Sequence, residues 1–191
     1  EKPEEIVVMG GHIDSWDVGQ GAMDDAGGVV VAWEAIRLLK KLGLTPRRTI
    51  RVVGWTNEEN GMRGGNAYRD AHKNEVHQLA IESDGGVFSP TGFGFSGSPA
   101  ARTLVEAIGS LLAPINANTI GASGGGADIG PIMATGVPGM GLNVDDTRYF
   151  WFHHTDADTP DKLNPAEVQR CVAVMAVMAY IAADLEQALP R

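Results

Sequence analysis

The chain has 191 residues, 43% of them hydrophobic, one cysteine and a formal net charge of −9. That length supports one domain with a substantial core, and the acidic balance argues against a general binder of nucleic acid or of an anionic membrane. Cys171 stands alone, which excludes an internal disulfide, and no uninterrupted apolar run reaches the ~18 residues of a membrane span.

From the N-terminus, Glu1-Lys2-Pro3 without a Met reads as the start of a trimmed or excised domain. Ile6–Met9 is predicted as a buried strand running into Gly10-Gly11-His12-Ile13-Asp14. A loop over 21–25 follows, and Asp25 or a neighbour is expected to cap a helix over 27–42, closed by Gly43. Thr49–Trp55 is the next strand, and it ends in the acidic stretch Thr56-Asn57-Glu58-Glu59-Asn60. A helix over about 64–72 precedes a third strand, 78–82, which ends at Ser83-Asp84-Gly85-Gly86.

In the second half, 93–95 is a short extended piece and 99–112 has helical spacing, closed by Pro114. A glycine-rich loop at 121–126 leads to a short helix near 128–135, then to a strand at 139–142. Residues 148–159 form an aromatic, histidine-rich loop, and 165–189 a long helix opened by Pro165 and carrying Cys171 on its apolar side. Strands alternating with helices predict an α/β sandwich.

The candidate chemistry falls just after the strands, where open α/β sheets place their sites. His12 is a candidate metal ligand and Asp14 a group that orients it. Asp24 and Asp25 follow a small-residue turn, where helix capping is the commoner use of an aspartate; a carboxylate has two oxygens, so one of them could instead bridge two cations. Glu58 and Glu59 alternate in direction if the strand continues, so one can bind a metal while the other handles a proton. Asp84 ends an apolar strand, where a buried carboxylate needs a partner. His153 and His154 sit beside three aromatics, a place for packing or for a ligand. Imidazoles and carboxylates without cysteine suit zinc in a catalytic setting.

In this order the stretches GGHIDSWDVGQGAMDDAGG, RVVGWTNEENG, IESDGG and FWFHHTDADT resemble the co-catalytic two-zinc exopeptidases of aminopeptidase and glutamate carboxypeptidase type. The resemblance implies a three-layer α/β/α sandwich around a mixed, mainly parallel sheet, and two Zn2+ ions. His12 and Asp84 would hold one, Glu59 and His154 the other, with Asp24 bridging both. Glu58 would be the general base, passing a proton from a zinc-activated water to the leaving amine. Asp14 would support the ligands, and the peptide bond after Asp24 would be cis. His153 stands where many relatives have a tyrosine, and an imidazole there could donate to the developing oxyanion.

The implied activity is hydrolysis of short peptides from one end, with no nucleic-acid or membrane partner, in a possible homodimer and a secreted or periplasmic setting. Residues 1–191 would be the catalytic domain. Relatives of this type carry an N-terminal segment ahead of the first ligand, and the resemblance implies that this chain lacks it, together with part of the sheet and a substrate lid. Two rivals stay open at this level. One is a single-zinc acyl transferase like glutaminyl cyclase, which needs three ligands. The other is an inactive peptidase-like binding domain.

Overall fold

The computed structural model describes all 191 residues. Six strands form one sheet: β1 (Lys2–His12), β2 (Arg48–Trp55), β3 (Val76–Glu82), β4 (Pro90–Ser96), β5 (Thr119–Gly121) and β6 (Gly139–Val144). Their order across the sheet is β2-β1-β3-β6-β4-β5. All neighbours run parallel except β4 and β6, which are antiparallel. The sheet is therefore mixed and mainly parallel, as expected.

The helices are α1 (Gly27–Lys41), α2 (Arg63–Ala71), α3 (Pro99–Ser110), the short α4 (Gly130–Met133) and α5 (Pro165–Asp184). Side chains alternate between the two faces of each strand. Val7 and Met9 of β1 join Leu79, Ile81, Phe93, Phe95 and Met140 in the larger core, under α1, α3 and α5. Ile6 and Val8 point the other way, into a smaller core with Ala80, Tyr68 of α2 and Ile132 of α4. Three layers result. β1 is buried from Ile6 to His12, which is why it reads as an apolar run rather than an alternating one.

Several boundaries differ from expectation. β1 starts at Lys2, well before Ile6, because its first residues still find partners on β2. α5 ends at Asp184 rather than Leu189, and Leu185 turns extended (ψ 136°). The buried Arg48 side chain meets the carbonyls of Ala183 and Leu185 there, and its Nε lies 2.5 Å from Glu5. α5 has the length and composition of a membrane span, but Val174, Met175 and Met178 are fully buried in the core. α3 stops at Ser110, and Pro114 sits inside a 3-10 turn (Ala113–Ile115). The three-residue β5 had no sequence expectation. The short helix after the glycine-rich loop shrinks to Gly130–Met133, and the aromatic loop opens with a 3-10 turn, Asp146–Trp151.

Candidate metal centre

Parallel strands in register end at one edge of the sheet. His12 of β1 pairs with Trp55 of β2, and Gly10 pairs with Glu82 of β3. Chain leaving β1, β2 and β3 therefore emerges side by side, bringing His12, the Glu58-Glu59 turn and Asp84 together. The aromatic loop after β6 adds His153 and His154.

His12 is buried, and its ring is fixed from both ends. Nδ1 lies 2.9 Å from the carbonyl oxygen of Asp14. A carbonyl only accepts, so Nδ1 carries a proton and Nε2 is the nitrogen turned to the site. Nε2 stands 3.1 Å from Asp24 Oδ1 and 3.3 Å from Asp84 Oδ1. Burial lowers the pKa of His12, but the Asp24 and Asp84 carboxylates outweigh it and push it up to about 12. So strong a pull on a proton marks a place that demands positive charge.

Asp24 and Asp25 part company. They lie in an irregular turn, Ala22–Ala26, and the peptide bond between them is cis, as the resemblance implied. Asp25 is fully buried. Its Oδ2 accepts from the His12 amide at 3.1 Å and its Oδ1 from the Gly28 amide at 3.2 Å, near the start of α1. That carboxyl fills the space left by Gly11 and Gly28, where a Cβ would collide with it. Burial raises its pKa well above the usual range, with the Asp84 charge adding to it. Asp24 instead faces the histidines. Burial raises its pKa, but its contact with His12 dominates and holds it below the usual carboxylate range.

Asp14 acts as a clamp. Its Oδ1 accepts from the Glu58 amide at 3.1 Å and its Oδ2 from the Glu59 amide at 3.3 Å. Glu59 is turned to His154, with Oε2 2.8 Å from Nε2. Glu58 is half-buried, and burial followed by the Asp84 charge raises its pKa. His154 Nε2 lies 3.4 Å from Asp24 Oδ2, and His153 Nε2 lies 3.5 Å from the same oxygen. Both histidines reach Asp24, and contact with Glu59 distinguishes His154.

Two groups of donor atoms converge, one of His12, Asp24 and Asp84 and one of Asp24, His153 and His154. Asp24 belongs to both. Buried Asp24 Oδ2 and Glu59 Oε1 have no hydrogen-bond partner, although such groups are normally satisfied. Orphaned carboxylate oxygens beside imidazole nitrogens fit metal cations, and an N/O donor set fits zinc.

Three contributors escaped the sequence reading. Asp158 is buried, and its carboxylate accepts from the Met23 amide at 2.6 Å and the Asp24 amide at 3.1 Å, holding the turn that presents Asp24. Glu82 and Asp128 are buried carboxyls near the same edge; burial pushes them up to about 8 and about 7. Glu82 could have been noticed as a lone acid within an apolar strand. Nothing local marks Asp128 or Asp158 apart from ordinary turn aspartates.

The sequence profile described as peptidase family M28 matches residues 1–179. Carboxypeptidase Q of Xenopus laevis is 47% identical over 191 residues, covering 99% of this chain and 41% of its own length. The chain thus spans well under half of that relative. A solved peptidase M28 precursor from Shewanella amazonensis is 35% identical with a TM-score of 0.92, covering 99% of this chain and 43% of that one. BSAP, a zinc aminopeptidase from Bacillus subtilis, is 20% identical with a TM-score of 0.75, over 96% of this chain and 47% of that one; that likeness shows the shared fold. With the family profile covering 179 of its 191 residues, the chain belongs to peptidase family M28.

Proposed function

We propose that this chain carries the centre of a two-zinc peptidase that hydrolyses short peptides from one end, dipeptides among them. The observation that supports it most is Asp24, one carboxylate set between two separate groups of ligand atoms. In this reading His12 and Asp84 hold one ion, Glu59 and His154 hold the other, and Asp24 is shared. Bound zinc would supply Lewis acidity and a water acidified toward neutral pH.

The remaining steps belong to the chain. Glu58 is half-buried beside Asp84 and His12, and its raised pKa makes it a better base than an exposed glutamate. It takes a proton on the attacking side and gives it to the leaving amine. Asp14 holds the amides of Glu58 and Glu59 together, fixing base and ligand relative to each other. His153 Nε2 lies 3.5 Å from Asp24 Oδ2, and in this reading its imidazole donates to the carbonyl oxygen as charge develops there. The relatives are more than twice as long, so substrate end, side-chain preference and a secreted or periplasmic setting remain parts of this proposal.

Elemental analysis after zinc dialysis, paired with a dipeptide hydrolysis assay, tests the reading. Two zinc ions per chain with chelator-sensitive turnover are expected. One ion per chain would return the site to a single-zinc reading, and none would sink the metal assignment.

A further inference from the structure

His12 and His154 are the two imidazoles proposed as ligands, and they are oriented by different means. Metal-binding histidines usually donate their second ring N–H to a carbonyl or carboxylate, which fixes the ring. His12 does so through Nδ1 to the Asp14 carbonyl at 2.9 Å. His154 makes no protein hydrogen bond through its Nδ1; its polar contacts are through Nε2, to Glu59 and Asp24. Its ring lies instead between two others. The Trp16 indole is stacked on it with centroids 4.5 Å apart and planes 11° apart. His153 is stacked at 3.7 Å and 18°. Two rings that close and that parallel cannot share one face, so His154 is sandwiched.

We infer that the indole of Trp16 is a positioning group for His154, doing by stacking what the Asp14 carbonyl does for His12 by hydrogen bonding. Three observations carry this. Trp16 is 43% exposed, so burial in the core does not account for its place. His154 has a left-handed backbone (φ 59°), a conformation that non-glycine residues adopt uncommonly, so its ring direction is set by surroundings rather than by a regular element. The segment His12–Trp16 then touches each other part of the centre: His12 faces Asp24 and Asp84, Asp14 clamps Glu58 and Glu59, and Trp16 covers His154. Flat aromatic contact fixes the tilt of a ring while leaving Nε2 free to face the ion.

The inference rests on the proposed zinc centre and is tested on the dialysed chain. Zinc affinities are measured by competition with a chromophoric chelator for wild type, Trp16→Leu, Trp16→Gln and Trp16→Phe, with thermal melting to verify folding. NMR of the His154 ring protons reports the stack directly through the indole ring current. Loss of the ring in Trp16→Leu or Trp16→Gln should weaken one zinc site roughly tenfold, the low end of what orienting partners supply. The other site should be unchanged, the His154 protons should move downfield, and Trp16→Phe should restore most of the affinity. Trp16→Leu and Trp16→Gln variants with wild-type zinc affinities, or a Trp16→Phe variant as impaired as they are, would overturn the inference alone. A wild-type chain that takes up no zinc would sink the zinc centre, and the inference with it.

Discussion

The amides of Glu58 and Glu59 both end on the Asp14 carboxylate, while only Glu59 reaches a histidine. Adjacent acids therefore divide the work, and substitution should separate them. Glu58→Gln keeps size and removes the base; kcat should fall by roughly 10²–10⁴ with zinc content unchanged by elemental analysis. If zinc leaves together with turnover, Glu58 is a ligand and not the base. Asp14→Ala frees both amides, and zinc affinity should drop about 10–100-fold, read by chelator competition. At this scale His12, Glu58, Glu59 and Asp84 were legible as candidates because each follows an apolar strand, whereas the choice of Asp24 over Asp25 and of His154 over His153 came from the resemblance. The supports were not legible. Asp158 and Trp16 act across the fold, on Asp24 and His154, and no spacing rule links residue 158 to residue 24.

Secondary elements are joined by polar ties as well as by the cores. Arg51 of β2 donates to the Tyr68 hydroxyl at 2.9 Å, and that hydroxyl lies 2.8 Å from His77 Nε2 of β3. α2 is thus fastened to two strands beside the smaller core. Tyr68→Phe leaves the buried His77 nitrogen without a partner and should cost about 1–3 kcal/mol, measured by urea unfolding. Burial, then the Arg51 charge, lowers the pKa of His77 below its ordinary value. The unfolded chain therefore binds a proton at this site before the folded one does. Stability from this group is complete above about pH 6.5 and is lost as pH falls toward the folded pKa. Urea midpoints between pH 7.5 and 5 should show that slope, and His77→Gln should flatten it. Strand and helix positions were legible from apolar runs, caps and glycine stops. The end of α5 was not, because Arg48, some 135 residues earlier in the chain, meets the carbonyls at its last turn.

Across the whole molecule, a net charge of −9 is concentrated in part where β1, β2 and β3 end, and divalent cations there would bind the folded chain and not the unfolded one. Melting temperature should rise with added zinc, since ligand at about a hundredfold over its dissociation constant adds about 2.7 kcal/mol. Asp24→Asn should abolish most of that rise, and a rise as large as wild type would remove Asp24 from the centre. The layered architecture was legible from the alternation of elements, the expectation of a mixed sheet came from the resemblance rather than from periodicity, and the strand order β2-β1-β3-β6-β4-β5 had no expectation. Gly11 and Gly28 meet the Asp25 carboxyl, and Gly126 packs as closely on the Glu82 carboxyl. A saturation-mutagenesis map of this chain should accordingly show dark bands at these three glycines, as deep as those at the proposed ligands and unrelieved even by alanine. The signature of this centre is written partly in side chains that are missing, and a search built on donor residues alone would read only half of it.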